Sequence, residues 1–414
     1  DPGVAIGRQR RPHRISQPAL LAHCLEQPAR CAAADDVGAQ TGRRFLVTGA
    51  NGFVGKNLVA HLQERKDIEV LQFCREDDIA SLQPLVSEVD FIFHLAGVNR
   101  PQNVEDFKSG NADLTQTLCA AVVASARKIP VLYTSSIQAE LDNAYGMSKR
   151  GAEEALIQLS AQFGSDVHLF RLPNVFGKWA RPNYNSAVAT FCNNIVNGLP
   201  ISINDANAKI SLVYIDDVIN AFISVMDGRR SGDPFVVVEP VYSISVGELS
   251  SQLYAFKESR QSMVSERVGA GLVRALYSTY LSYLPPADFT YEVAKHGDAR
   301  GVFVEMLKTK DSGQFSYFTA HPGITRGGHY HHTKTEKFLV IRGKACFRFR
   351  HITSGEFHEL FTDGDTPTIV ETVPGWSHDI TNVGDSEMVV MLWANEIFDR
   401  ELPDTYTMPV GTHA

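Results

Sequence analysis

The feature that most constrains the fold is a glycine-rich loop near residue 50, set between an apolar run and a helical pattern. The run 45–47 has β-type residues, and the apolar residues after the loop recur at helical spacing. Between them lie Gly49, Gly52 and Gly55 in a GxxGxxG arrangement. Gly49 permits a tight turn, Gly52 lets the backbone approach a phosphate, and Gly55 lets the helix pack against the strand. Strand, glycine loop and helix in this order predict a dinucleotide-binding α/β domain, with the phosphates at the start of the helix.

The residues after the second predicted strand bear on which dinucleotide is bound. The strand at 69–73 ends without the acidic residue that would bind the ribose 2′-hydroxyl of NAD. Arg75 follows instead, and a guanidinium there suits the 2′-phosphate of NADP. A solvated surface arginine is an equal alternative for Arg75. The sequence therefore favours NADPH without deciding it.

A serine-rich strand end and a YxxxK pair carry the predicted chemistry. The apolar run 131–136 ends in Ser135 and Ser136, and Tyr145 opens a helical pattern nine residues later. Lys149 lies four residues after Tyr145, on the same helix face. An ammonium beside a phenol lowers the phenol pKa from about 10, which makes the tyrosine a usable proton donor. A YxxxK pair alone is common, but its position after the glycine loop and the serines makes it specific.

These ordered motifs resemble the extended short-chain dehydrogenases, which act on nucleotide sugars. The resemblance implies that Ser136 orients the substrate oxygen, Tyr145 exchanges the proton, and Lys149 assists while holding the ribose. Ser135 is an alternative for the serine. The resemblance also places the end of the strand 90–97 in the cofactor cleft. The predicted cofactor contacts are Gly49, Asn51, Gly52, Phe53, Val54, Gly55, Arg75, Leu95, Ala96, Gly97 and Lys149.

Two later segments resemble parts of the same family that contact the sugar. Residues 171–177 resemble its RxxNxxG segment, which implies that Asn174 lies near the sugar, and 213–218 resemble its helix-starting aspartate pair. Ordinary strand-end and N-cap chemistry is the alternative for each segment taken on its own. The segment that follows the first is predicted to be a substrate loop, with contacts from Lys178, Arg181 and Asn185.

The second half of the chain has a different pattern. After Pro285-Pro286 the sequence changes to short alternating strands separated by glycine turns, which predicts an all-β sandwich or barrel. The expected organisation is an extension at 1–42, a reductase domain at 43–288 and an all-β domain at 289–414.

A histidine cluster in this half predicts a metal site. The segment 323–343 fits the cupin motif G(x)5HxH(x)4E(x)6G. The predicted ligands are His329, His331, Glu336 and a later histidine, His378. Three imidazoles and a carboxylate suit Zn²⁺, and equally Fe²⁺, Mn²⁺ or Ni²⁺. A substrate contact is the alternative for His331.

Composition limits the partners and the location. A net charge of −8 argues against a nucleic-acid partner, and no apolar run approaches the roughly 20 residues that span a membrane. The six cysteines are scattered without a CxxC pair, which predicts reduced thiols and a cytoplasmic protein. The first forty residues contain no long apolar segment, so a signal peptide is not expected.

The two halves together resemble the bifunctional CapF capsular-polysaccharide enzymes over roughly residues 43–410. The resemblance is carried by the stretches 51–58, 94–101, 178–186, 276–285 and 331–340. It implies a Rossmann-type short-chain dehydrogenase followed by a cupin, a jelly-roll barrel. It also implies C3 epimerisation by the cupin and NADPH-dependent C4 reduction of a UDP-linked 4-keto-6-deoxy-N-acetylhexosamine. The expected product is UDP-N-acetyl-6-deoxy-talosamine, a precursor of UDP-N-acetyl-L-fucosamine for capsule or O-antigen, and a homodimer is expected.

One alternative is a UDP-sugar 4-epimerase or reductase whose cupin only binds sugar or drives dimerisation. A redox-sensing regulator is disfavoured because serine, tyrosine and lysine are all present.

Overall fold

The structure, a computed structural model, describes residues 42–228, 232–289, 291–332, 334–401 and 403–411. The predicted extension lies outside the described residues except for Gly42, and residues 42–414 belong to one compact unit. None of the described helices is both long and apolar enough to span a membrane. The cysteines at described positions form no disulfide.

A parallel sheet organises the first half of the chain. Its strands are β1 (Arg43–Thr48), β2 (Ile68–Phe73), β3 (Phe91–His94), β4 (Val131–Ser136) and β5 (Val167–Leu172). They lie in the order β2-β1-β3-β4-β5, and every neighbouring pair is parallel. Both faces are covered, so the strands are apolar on both sides. Phe45 and Val47 pack into one core cluster, and Leu46 and Val131 pack into the other.

Helices supply that cover and connect the strands. They are α1 (Phe53–Gln63), α2 (Leu82–Ser87), α3 (Glu105–Phe107), α4 (Leu114–Ala124) and α5 (Ala144–Phe163). A π-helical turn at Lys108–Asp113 lies between α3 and α4. The side chain of Asn143 caps α5, and Gly164 ends it in the left-handed region. The carboxyl ends of the parallel strands meet at one edge, which is where such sheets bind ligands.

A smaller subdomain follows the sheet. Its strands are β6 (Asn174–Phe176), β7 (Lys209–Tyr214), β8 (Tyr242–Ser245) and the short β9 (Val264–Ser265). Its helices are α6 (Ala187–Val196), α7 (Ile215–Met226), α8 (Val246–Ser262) and α9 (Gly271–Leu281). Strands β6, β7 and β8 form one sheet, and Phe191, Leu253 and Tyr280 are buried in a shared core with it.

The rest of the chain is β-structure, and this confirms the predicted fold class. Its strands are β10 (Lys295–Asp298), β11 (Gly301–Thr309), β12 (Gly313–Ala320), β13 (Thr325–Tyr330), β14 (Glu336–Arg342), β15 (Lys344–His351), β16 (Phe357–Asp363), β17 (Ile369–Glu371), β18 (Trp376–Asn382), β19 (Met388–Ala394) and β20 (Tyr406–Thr407). One sheet has the order β10-β11-β12-β19-β14-β17 and the other β16-β15-β18-β13-β20. Phe318, Phe338, Phe347 and Ile380 belong to one buried cluster drawn from both sheets.

The two halves share a sheet. Strand β9 pairs in parallel with β11, and the backbone N–H of Lys308 donates to the carbonyl oxygen of Met263 at 2.7 Å. Ion pairs join Arg267 to Asp311 and Lys310 to Glu266 beside it. The domain boundary at residues 288/289 stays a prediction. Strand β9 precedes this boundary in the sequence, but it pairs with a sheet whose other strands follow the boundary.

Candidate active site and metal centre

Gly49 and Gly55 of the glycine loop lie where a side chain would collide with neighbouring backbone atoms. Gly49 has a φ of 68°, and a Cβ on it would lie 2.7 Å from the backbone nitrogen of Ala96. A Cβ on Gly55 would lie 2.3 Å from the carbonyl oxygen of Gly49. Gly52 is the N-cap of α1 and offers no side chain to its first turn, which leaves that helix start suited to an anion. Asn51 is exposed beside it.

The end of β3 brings further predicted cofactor residues to the same edge. The backbone N–H of Leu95 donates to the carbonyl oxygen of Thr48, and that of Ala96 donates to the Thr48 hydroxyl. A Cβ on Gly97 would lie 3.1 Å from Nζ of Lys149 and 2.8 Å from Oδ1 of Asn111. Gly97 therefore leaves the space that the Lys149 ammonium fills.

Buried His94 links the glycine loop to the helix after β3. The Thr115 hydroxyl donates to the carbonyl oxygen of Asn111, so Nε2–H of His94 donates to Thr115. Nδ1 of His94 then accepts from the Thr48 hydroxyl at 2.8 Å. Burial, followed by the charge of Lys149, lowers the pKa of His94 to about 3. His94 is therefore neutral and positions both elements.

Arg75 lies beside the glycine loop with its guanidinium exposed. The backbone N–H of Gly49 donates to the carbonyl oxygen of Phe73, which places the end of β2 next to the loop. Arg75 makes no hydrogen bond or ion pair with the described residues, whereas the nearby Asp77 and Asp78 accept backbone N–H groups. The carboxylates of Asp77 and Asp78 are thus hydrogen-bonded within the local turn, whereas the Arg75 guanidinium has no partner among the described residues.

Lys149 is buried against the end of β4. Its side chain is 4% exposed, and Nζ donates to the carbonyl oxygen of Thr134 at 2.9 Å. Nζ also lies 4.8 Å from the ring centroid of Tyr133. Burial lowers the pKa of Lys149 to about 8, and the charge of Glu153 opposes this effect.

Ser136 at the end of β4 lies beside Tyr145 at the start of α5. The Ser136 hydroxyl accepts the backbone N–H of Gln138, and the Tyr145 ring is 5.6 Å from that of Phe107. The expected lowering of the Tyr145 pKa by Lys149 is wrong for this structure. Burial raises that pKa, and hydrogen bonding to Ser136 only partly offsets the rise. The ammonium is instead directed at Thr134 and Tyr133.

The structure separates the two candidate serines. The Ser135 hydroxyl is buried and donates to Oε1 of Glu153 at 2.5 Å. Arg171 holds the same carboxylate through Nε at 2.9 Å and Nη2 at 2.6 Å. Ser136 is half-buried and hydrogen-bonded to Tyr145, so it is the serine of the two that lies beside the tyrosine.

The predicted substrate contacts differ in how far the protein itself engages them. Nζ of Lys178 donates to Oδ1 of Asp216 at 2.8 Å, so the structure gives this lysine a protein partner. Arg181 is exposed over the Tyr184 ring, and Tyr184 is close enough to raise the pKa of Tyr145. Asn185 is exposed. Exposed Asn174 donates from Nδ2 to the carbonyl oxygen of Ser211.

The four predicted metal ligands converge in the β half. Ligand atoms of His329, His331, Glu336 and His378 all lie within 4.8 Å of one another. Register brings them together, because His329 on β13 pairs directly with His378 on β18. The bulge between Gly327 and His329 sets this register, and a Cβ on Gly327 would lie 2.9 Å from the carbonyl oxygen of His378.

The chemistry of this cluster fits a bound cation. Nδ1 of His331 donates to the backbone carbonyl oxygen of Asp404. Its other ring nitrogen, Nε2, lies 3.2 Å from Oε2 of Glu336, so both atoms could bind one cation placed between them. Neither ring nitrogen of His378 has a hydrogen-bond partner among the described residues.

The protonation of the cluster suits metal ligation too. Burial, followed by the nearby His378, lowers the pKa of His329 to about 4, which keeps this imidazole neutral. Burial by itself would raise the pKa of Glu336. The nearby His331 and His378 and the charge of Lys334 outweigh that effect, so the pKa of Glu336 lies well below its usual range. Neutral imidazoles and an ionised carboxylate are the forms that bind Zn²⁺.

Comparison with known proteins decides the family. The NAD dependent epimerase/dehydratase family matches residues 45–239, and the polysaccharide biosynthesis C-terminal domain matches residues 296–406. A UDP-2-acetamido-2,6-beta-L-arabino-hexul-4-ose reductase from Pseudomonas aeruginosa is 64% identical over 371 residues, covering 90% of this chain and 100% of the relative. The crystal structure of the capsular polysaccharide assembling protein CapF from Staphylococcus aureus matches with a TM-score of 0.83 and 41% identity, covering 88% of this chain and 100% of that one. The chain belongs to the CapF family.

A more distant structure shares the fold alone. UDP-glucuronic acid 4-epimerase from Bacillus cereus, in complex with NAD, matches with a TM-score of 0.50 and 18% identity. It covers 58% of this chain and 98% of that one. The resemblance to CapF enzymes predicted from the sequence is thus confirmed over both halves by the closer matches.

Two residues at the sites of this CapF-family chain were missed by sequence reasoning. Glu153 lies one helical turn after Lys149, a spacing that is visible in the sequence but shared by many surface pairs. Asp404 accepts the backbone N–H groups of His332 and Lys334 from 72 and 70 residues away. No local pattern marks it, because the contact forms only when β20 pairs with β13.

Proposed function

We propose that this chain is a bifunctional nucleotide-sugar enzyme. The α/β half reduces C4 of a UDP-linked 4-keto-6-deoxy-N-acetylhexosamine, and the cupin half epimerises C3. The product would be UDP-N-acetyl-6-deoxy-talosamine, on the way to UDP-N-acetyl-L-fucosamine for capsule or O-antigen. The observation that carries the proposal is the presence, in one chain, of the Ser136, Tyr145 and Lys149 group and the histidine–glutamate cluster. The 64% identity to a UDP-sugar reductase over that relative's full length supports it.

NADPH would supply the hydride for C4. Tyr145 donates a proton to the C4 oxygen, and Ser136 orients that oxygen. Lys149 is protonated below its pKa of about 8 and places a positive charge next to the strand end that bears Ser136. Exposed Arg75 would bind the 2′-phosphate, which is the basis for NADPH over NADH.

In the cupin half, the residues of the cluster would hold one divalent ion, which we propose is Zn²⁺. Bound there, it would supply Lewis-acid polarisation of the C4 ketone, making the neighbouring C3 proton more acidic. Lys334 adds a positive charge at the site, with Nζ 3.5 Å from Oε1 of Glu336 and only 8% of the residue exposed. These residues orient a keto-sugar and favour charge on its oxygen.

We further propose a homodimer formed through one face of the cupin. A cross-strand row of Tyr317, Met391, Leu339 and Ile369 lies on a single sheet face, here called the outer apolar row. Tyr317 is 37% exposed and Ile369 54% exposed. A contiguous apolar face of this kind favours association with a second copy. The unpaired cysteines support a cytoplasmic location for the reaction.

The test of the reductase is NADPH oxidation by the full chain, loaded with Zn²⁺, on the 4-keto sugar nucleotide. We expect oxidation with NADPH to exceed oxidation with NADH by about tenfold or more, and Arg75→Ala to reduce that preference. Tyr145→Phe should lower kcat by about 100-fold or more while NADPH still binds. A wild-type chain that binds NADPH and does not reduce the keto-sugar would contradict the proposal.

A further inference from the structure

The Lys149 ammonium is buried without a carboxylate in contact. It is 4% exposed, its hydrogen bond is to a neutral carbonyl, and it lies over the aromatic ring of Tyr133. It forms no ion pair with a described residue. Burying a charge is costly unless another charge compensates it. The structure must therefore hold a negative charge nearby for Lys149 to stay protonated.

Glu153 is that nearby charge, one turn further along α5. It is 1% exposed, and residues four apart on a helix lie on the same face. Ser135 and Arg171 fix both of its oxygens. These two converge because the parallel register of β4 and β5 pairs Ser135 directly with Arg171. The carboxylate is thus held in place, and it lies over the strand end to which Lys149 is bonded.

Alternating charges continue from this pair to the surface. Nη1 of Arg171 donates to Oε1 of Glu140 at 3.0 Å, where the Glu140 side chain is 70% exposed. The Arg171 side chain is 30% exposed and that of Glu153 only 2%. Lys149, Glu153, Arg171 and Glu140 form what we call the charge ladder. It leaves Glu153 no freedom to turn towards solvent or towards another partner.

We propose that Glu153 is the fixed counter-charge of Lys149, a positioning residue that keeps the ammonium protonated during reduction of the keto-sugar. The inference rests on the proposed reductase function. It gives Ser135 a defined task, which is to hold the Glu153 carboxylate while Ser136 meets the substrate.

The other groups around Lys149 supply no comparable negative charge. The charged and titratable groups close to it on the described elements include His94 on β3, Tyr133 on β4, Tyr145 and Glu153 on α5, and Arg171 on β5. His94 is neutral, and burial raises the pKa of both tyrosines, which keeps them neutral. Arg171 is positive. The facing residue on the π-helical turn, Asn111, is uncharged.

The test is the pH profile of kcat for NADPH oxidation by the full chain. In the wild type the rate should fall as pH rises through about 8, because Lys149 then loses its proton. Glu153→Gln keeps the shape and removes the charge, so this alkaline limb should move to lower pH by about 1 to 2 units. That is the interaction of unit charges across one helical turn at an effective dielectric constant of about 20. Glu153→Asp should keep the limb near its wild-type position, and Glu140→Gln, at the exposed end of the ladder, should move it by less than about 0.3 units.

An alkaline limb of the pH profile that stays in place in an active Glu153→Gln enzyme would overturn the inference.

A second readout uses the melting temperatures of Glu153→Gln, Lys149→Met and the double variant, and needs no activity. Removing Lys149 removes the need for a counter-charge, so the loss of Tm from Glu153→Gln should be smaller in the Lys149→Met background. Equal losses in both backgrounds would contradict the inference, and a single variant that fails to fold should be rescued in the double. A wild type that oxidises no NADPH would count against the proposed function, while this cycle would still decide the Lys149–Glu153 coupling.

Discussion

At the scale of residues, the candidate active site depends on which polar groups are already engaged. Ser135 and Ser136 are adjacent in the sequence. The Ser135 hydroxyl donates a hydrogen bond to the buried carboxylate of Glu153, whereas the Ser136 hydroxyl lies next to Tyr145. Lys178 is likewise engaged by Asp216, whereas Arg75 is not engaged by any described residue. Hydrogen-bond partners therefore distinguish residues that composition and spacing treat as equivalent.

The space left by Gly97 gives a sharp prediction. In Gly97→Ala the new methyl would lie 3.1 Å from Nζ of Lys149 and 2.8 Å from Oδ1 of Asn111, so one of them must move. We expect kcat/KM for NADPH oxidation to fall by about tenfold, since a small misplacement of a catalytic group is costly. Gly269→Ala is the matched control, because no atom lies within 4 Å of the added methyl. Equal activity of the two variants would contradict the placement of Lys149.

At the scale of elements, the proposed metal centre depends on a short terminal strand. Strand β20 pairs with β13, and Asp404 ahead of it is hydrogen-bonded to His331, His332 and Lys334. Tyr406 on β20 stacks on Tyr330 and contacts exposed His332. These contacts fix the orientation of a ligand imidazole, as the partners of metal-binding histidines do in general.

Removal of the Asp404 carboxylate tests this role. Asp404→Ala frees the backbone N–H groups of His332 and Lys334, so the turn that carries His331 should loosen. We expect Zn²⁺ affinity, measured by competition with a chelator, to weaken by about 10- to 100-fold. The control is Asp399→Ala, which removes one local hydrogen bond to the backbone of Glu401. Equal Zn²⁺ affinity in both variants would show that β20 does not position His331.

The elements also show why the sequence predicts part of the site and not the rest. The glycine loop, the Tyr145–Lys149 pair and most of the histidine cluster are marked by local spacing. The structure brings together the members of the loop and of the cluster, whereas the Lys149 ammonium is directed at Thr134 and Tyr133. Glu153 needs the register of β4 and β5 to meet Arg171, and Asp404 needs the pairing of β20 with β13. Such contacts depend on long-range register, which no local pattern encodes. The Tyr145 pKa was mispredicted for a related reason, because burial and the direction of the Lys149 side chain are tertiary properties.

At the scale of the whole molecule, the proposed dimer face and the proposed metal ligands both lie in the β half of the chain. The outer apolar row lies on the sheet that also contains β9 and β14. Dimerisation through this row would therefore involve the same sheet that contributes Glu336.

Charged substitutions on the outer apolar row test the dimer. Ile369→Glu and Tyr317→Glu each place a charge on the apolar face, and we expect the mass by light scattering to fall from two chains towards one. Phe361→Glu is the control, since Phe361 is 66% exposed on β16 of the other sheet. A wild type that is a single chain, or row variants that stay paired, would contradict the proposed interface.

A single chain that epimerises C3 and reduces C4 should show both reactions in one experiment. The full chain, loaded with Zn²⁺, is incubated with the UDP-4-keto-6-deoxy-N-acetylhexosamine in D2O, and deuterium at C3 is followed by NMR alongside NADPH oxidation. Tyr145→Phe should take up deuterium at C3 with little NADPH oxidation, and His378→Ala should lose the uptake. NADPH oxidation by the wild type with no deuterium at C3 would contradict the claim and favour a reductase whose cupin only binds sugar or drives dimerisation.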